Sequence, residues 1–110
     1  MTEQSILFDE VKTIIQILAI VKDKIDDQSE MIYSTWDTPQ EAIEEIDDCI
    51  KKMLDGDFSI LLTLEMFFMV TGPFQELSMQ NGWSKEYLKI ARQFDAVVLK
   101  LKNKIAKLKN

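Results

Sequence analysis

From Tyr87 to Leu108 an apolar residue recurs at alternating steps of four and three: Tyr87, Ala91, Phe94, Val98, Leu101, Ile105 and Leu108. That spacing keeps one stripe on one side of a helix and gives a strand no consistent face. No glycine or proline interrupts it, and Ser84 stands ahead of it as an N-cap residue. A stripe of this length needs a partner of similar length, and the other end of the chain supplies one. Leu7, Val11, Ile14, Leu18, Val21, Ile25 and Ile32 step in the same way, with Gln28 the one polar residue in the register. They lie within residues 4–34, which hold neither Gly nor Pro. At 1.5 Å per residue this predicts a first helix of roughly 45 Å. Its weak point is Asp26 to Glu30, because Asp and Ser are poor helix formers. Ile6, Phe8, Ile15, Ile17 and Ile20 lie off the stripe, so the N-terminal half of this helix should be covered on two sides.

All three glycines and both prolines fall between residues 39 and 82. In "TWDTPQE", Thr38 is an N-cap, Pro39 fits the first helical position and Glu41 completes a T-x-x-E capping box. The helix that follows turns Ile43, Ile46, Ile50, Met53 and Leu54 inward, and Gly56 suits the left-handed position after its end. Residues 58–70 are apolar nearly all round, which predicts a third helix buried between others. "TGPFQELSMQNGW" then reads as a corner, with a short helix over residues 73–80 closed by Asn81 and Gly82. No alternating strand pattern and no internal repeat is present. The chain of 110 residues, 46% apolar, has material for one core. The expected fold is therefore all-α: one domain over residues 1–110, an antiparallel helical bundle of four main helices plus the short helix near residues 73–80.

The residue types exclude much chemistry. With no His, neither a Ser-His-Asp nor a Cys-His arrangement can be built, nor a Glu-x-x-His di-iron site. One Cys cannot make a zinc tetrahedron or a disulfide within the chain, and Cys49 falls on the inward side of its helix as a small apolar residue. No phosphate-binding glycine loop is present, so no cofactor is expected. The longest apolar run, "FSILLTLEMFFMVTGPF", contains Glu65 and a Gly-Pro break, so no membrane span is expected. The N-terminus has no basic region ahead of its apolar residues, which leaves a cytoplasmic protein as the expectation.

The net charge of −6 is unevenly spread: residues 1–57 carry −10 and residues 58–110 carry +4. Asp23, Asp26, Asp27 and Glu30 fall at i, i+3, i+4 and i+7 of the first helix, and Glu41, Glu44, Glu45 and Asp48 repeat that spacing on the second. Such faces repel nucleic acid and attract basic proteins. They are also the residue type that holds Mg²⁺ for nucleotide hydrolysis. That chemistry needs a second carboxylate helix shortly downstream, and the third helix offers only Glu65 before its break. Tyr33 and Trp36, between the two acidic faces, are candidate aromatic anchors for a partner. In size, class and charge the chain is similar to small acidic helical inhibitors such as bacterial immunity proteins. That likeness implies a non-enzymatic protein-interaction module binding a basic partner.

Two other arrangements fit the residues. An apolar small molecule or lipid could sit beside Met66, Phe67 and Met69, or a homodimer could form through residues 6–21 of the first helix. The basic tail "LKLKNKIAKLKN" can serve a surface or simply lie against the acidic helices of its own bundle.

Overall fold

The computed structural model describes residues 3–31, 34–69 and 72–109, with the side chains of residues 3–5 left aside. Five helices appear in order: α1 (Glu3–Asp23), α2 (Pro39–Leu54), α3 (Ile60–Phe67), α4 (Pro73–Gln80) and α5 (Ser84–Lys109). No strand occurs among the described residues. The bundle is elongated, with principal extents of 45 × 23 × 18 Å.

The two striped helices form its long axis. Leu7, Ile14, Ile17, Leu18 and Val21 of α1 are buried, as are Tyr87, Ile90, Phe94, Val97, Val98 and Leu101 of α5. The helices run antiparallel: Lys104 near the end of α5 donates to Glu10 at 2.6 Å near the start of α1, while Ile17 and Ile20 share a groove with Gln93 and Ala96. Helix α2 lies along the other flank of α1, where Lys22 meets Asp47 at 2.7 Å. The two-sided covering expected of the N-terminal half of α1 is met only in part: Ile17 is buried and Ile15 half-buried, but Ile6, Phe8 and Ile20 stand exposed, because α2 and α5 reach only two flanks of the helix.

Helix α1 ends at Asp23, earlier than its apolar register predicts. The reason is local. The Gln28 N–H donates to Asp26 Oδ1, the Asp26 N–H to Ser29 Oγ and the Ser29 N–H to the Asp26 carbonyl, all within 3.0 Å. These bonds offer the backbone an alternative to the helix ladder. Ile25 remains buried without being helical. The connecting segment is then tied down by Asn81, whose side-chain amide accepts from the Glu30 N–H at 2.6 Å and donates to the Glu30 carbonyl at 3.1 Å.

The punctuation around α2 is close to expectation. Thr38 Oγ1 accepts the Glu41 N–H at 3.2 Å. The Glu41 carboxylate reaches back to the Asp37 N–H, one residue before the one a regular capping box uses. At the other end Gly56 takes φ 77°, and the Gly56 and Asp57 N–H groups bond to the Met53 and Lys52 carbonyls, a Schellman motif. The same device closes α4: Gly82 has φ 79° and the Trp83 N–H reaches the Ser78 carbonyl. Asn81, expected to share the left-handed role, keeps φ −113° and uses its side chain instead. Ser84 is the first residue of α5 rather than its cap.

Helix α3 departs furthest from the sequence expectation. It is eight residues long, and it packs on α2 and α4 by one side only. Ile60, Leu61, Leu64 and Phe67 are buried, whereas Leu62 and Met66 stand exposed, as does Met69 beyond its end. Phe67 and Phe68 feed an aromatic cluster at the centre of the bundle. Trp36, Phe67 and Phe74 meet at centroid distances of 5.2 to 5.9 Å, and Phe68 bridges Phe74 to Phe94 at 5.0 and 4.0 Å. A side chain at Gly72 would collide with the Met66 carbonyl, so the corner into α4 closes tightly against α3.

Candidate interaction face on α2

Helix α2 buries Ala42, Ile46, Cys49 and Met53 and turns Glu41, Glu44, Glu45 and Asp48 to solvent. Its sixteen residues hold five carboxylates and two lysines, Lys51 and Lys52, both in the last turn. The buried stripe and the caps at both ends fix this face as a rigid surface. Asp48 pairs with Lys52 at 3.2 Å, an exposed i,i+4 contact that leaves both groups largely hydrated. Glu44 has no partner among the described residues.

The first acidic quartet is not a helical face. Asp23 closes α1, while Asp26, Asp27 and Glu30 lie in the connection beyond it, so the i, i+3, i+4, i+7 spacing is not realised. The connection nevertheless carries these acids to the head of α2. Asp27 Oδ1 accepts from Gln40 Nε2 at 2.7 Å. Beside it, Ser29, Glu30, Met31, Ser34, Asp37 and Pro39 line an open notch of about 450 Å³. The acids of two sequence segments therefore meet at one end of the α2 face, by a route that periodicity alone does not describe. Asp37 belongs to this group, although in the sequence it reads only as a residue before a cap.

Trp36 is not an exposed anchor. It is 4% exposed, packs edge-on to Phe67 and donates its indole N–H to Glu45 Oε2 at 2.5 Å. Its burial follows from the aromatic cluster, whose other members lie thirty and more positions along the chain. Tyr33, the second expected anchor, lies outside the described residues.

Other groups with shifted acidity have structural causes. Burial pushes the Cys49 thiol up to about 11, helped by Glu45 and Asp48, which is the reverse of what activates a nucleophile. Burial likewise raises the Tyr87 hydroxyl to about 12. The hydrogen bond from Lys104 holds the buried Glu10 carboxyl below its usual value, against the opposing effect of burial. The Asp57 carboxyl is also lowered, because it accepts from the Ser59 hydroxyl and N–H where α3 begins. Among the described residues, no three carboxylate, Cys or His groups converge as a metal site would require.

The Met and Phe cluster that the sequence offers as an apolar pocket is filled. Phe67 and Phe68 pack into the ring cluster, and Met66 and Met69 point to solvent. Two tail lysines lie against acids of the same chain, Lys104 on Glu10 and Lys102 on Glu65, each at 2.6 Å. No described helix is long and apolar enough to cross a membrane.

No family model matches the chain, and no match to it is found among curated proteins or among solved structures.

Proposed function

We propose that this chain is a non-enzymatic protein-interaction module, an inhibitor-type protein whose α2 face and adjoining notch receive a basic partner. The observation that carries this reading is the convergence of Asp27, Glu30 and Asp37 on the head of a capped, rigid helix whose outer side is already acidic. A long basic side chain from a partner would enter the notch beside Glu30 and Asp37. Glu41, Glu44 and Asp48 would meet further basic groups along the helix. Carboxylates on a fixed backbone steer association and set orientation without losing much side-chain freedom. The mechanism is occlusion: the α2 face covers a functional basic surface of the partner.

The test compares proteins retained by immobilised wild-type chain and by the Glu30→Gln, Glu44→Gln, Asp48→Asn triple variant, from the same native extract. The reading expects a basic protein held by the wild type, lost by the variant and eluted by salt. The same set of proteins on both columns would overturn it.

A further inference from the structure

A second surface, remote from the acidic face in character, has the make-up of a ligand site. Helices α1 and α2 and the α2–α3 connection come together at one end of the bundle. They leave a trough of about 510 Å³ lined by Leu7, Phe8, Val11 and Ile15 of α1, Met53 and Leu54 of α2, and Phe58 beyond Gly56. That is within the ordinary range for small-molecule sites, roughly 300–1,000 Å³. Its two rims are large apolar side chains left in water: Phe8 is 59% and Leu54 65% exposed. Only three lining residues are not apolar: Gly56, Lys12 and Gln16. Lys12 and Gln16 lie one turn apart on α1. The Lys12 ammonium sits 6.0 Å from the Phe8 ring centroid and has no acidic partner among the described residues.

We propose that this trough binds an acyl chain bearing a carboxylate, with Lys12 holding the head group beside the Phe8 rim and the chain lying along Val11, Ile15 and Leu54. The charge complementarity is specific in sign. The one charged lining group is an unpaired cation, so an anionic amphiphile is favoured over a neutral or cationic one. The distance from Gln16 to Phe8, about 12 Å at 1.5 Å per residue, suits a medium-length chain. This site is independent of the α2 acidic face, and neither reading requires the other.

Isothermal titration of the full chain with dodecanoate, dodecanol and butyrate, below their aggregation limits, tests it. Dodecanoate should bind one per chain. Dodecanol should bind about tenfold more weakly, the worth of one charge-assisted contact, and butyrate should give no binding. Lys12→Met should remove the preference for the acid. Leu54→Asp, at a position already exposed, should abolish dodecanoate binding while leaving the helical circular dichroism unchanged. Absence of dodecanoate binding to the wild type would overturn the proposal, as would equal affinity for acid and alcohol or undiminished binding by Leu54→Asp. A wild-type dimer in sedimentation that Leu54→Asp converts to monomer would assign the trough to a second copy of the chain and overturn it too.

Discussion

At the scale of single residues, buried polar groups determine how this chain responds to pH. Cys49 is nearly inaccessible, and its thiol titrates near 11 in the fold against an ordinary value of 9.0. The unfolded chain therefore gives up that proton first. Stability should fall as pH rises above about 9, and level off for this group near 11. The whole effect is on the order of 2 kcal/mol. Tyr87 adds a second decline that starts near 10, since its hydroxyl is raised to about 12. In Cys49→Val, urea denaturation across this range should show the alkaline decline starting about one pH unit later. Glu10 acts in the opposite sense. Its lowered pKa means that its contribution is present above the ordinary carboxyl range and disappears as pH falls through the folded value. Glu10→Gln should cost about 1–2 kcal/mol at neutral pH and flatten the acid limb below about 4.5, measured by the same denaturation series.

Asn81 acts across fifty-one positions, clamping both backbone groups of Glu30. Asn81→Ala should destabilise the fold by about 1 kcal/mol, and should abolish the protection of the Glu30 amide in hydrogen exchange. Retained protection at Glu30 would mean that other contacts hold the connection in place. Trp36 shows what the sequence could not reveal at this scale. Its neighbours "STWDTP" have no periodicity, and the contacts that bury it come from Glu45, Phe67 and Phe74. Aromatic type alone cannot distinguish an anchor for a partner from an anchor for the chain's own core.

At the scale of elements, what was legible is what is local. The stripes of α1 and α5, the Thr38 cap and the glycine after α2 rest on spacing and backbone geometry within one or two turns. Gly82 belongs with them. A side chain there meets no atom within 4 Å, so substitution acts through its φ of 79° alone. Gly82→Ala should cost about 1–2 kcal/mol, and the β-branched Gly82→Val more, in thermal unfolding. A Val variant as stable as wild type would show that the corner does not need the left-handed conformation.

The elements misread are those whose fate depends on neighbours. The register of α1 continues to Ile32, yet the side-chain bonds of Asp26 and Ser29 end the helix at Asp23. The apolar composition of α3 implies burial all round. The bundle offers it packing partners on one side only, and Leu62 and Met66 face water. The acidic site was half legible for the same reason. The α2 quartet follows from periodicity, whereas the arrival of Asp27, Glu30 and Asp37 at its head depends on a turn that no periodic pattern encodes.

At the scale of the whole molecule, charge and apolar surface are segregated. The acidic half of the sequence supplies α2 and its notch, and the basic tail spends Lys102 and Lys104 on Glu65 and Glu10 of the same bundle. On α2, Asp47 pairs with Lys22 and Asp48 with Lys52, while Glu41 and Glu44 have no basic partner among the described residues and face outward. The apolar trough between α1 and α2 opens at the end of the bundle away from the notch, so two separate surfaces are offered by one rigid scaffold.

The claim that the α2 face receives a basic partner is tested most directly by stopped-flow association with the protein that the wild-type column retains and the triple variant loses. The account predicts an association rate that falls at least tenfold between low and physiological ionic strength, and a Glu44→Gln variant that slows association while barely changing dissociation. An association rate that is flat with salt, together with unchanged kinetics in Glu44→Gln, would contradict it.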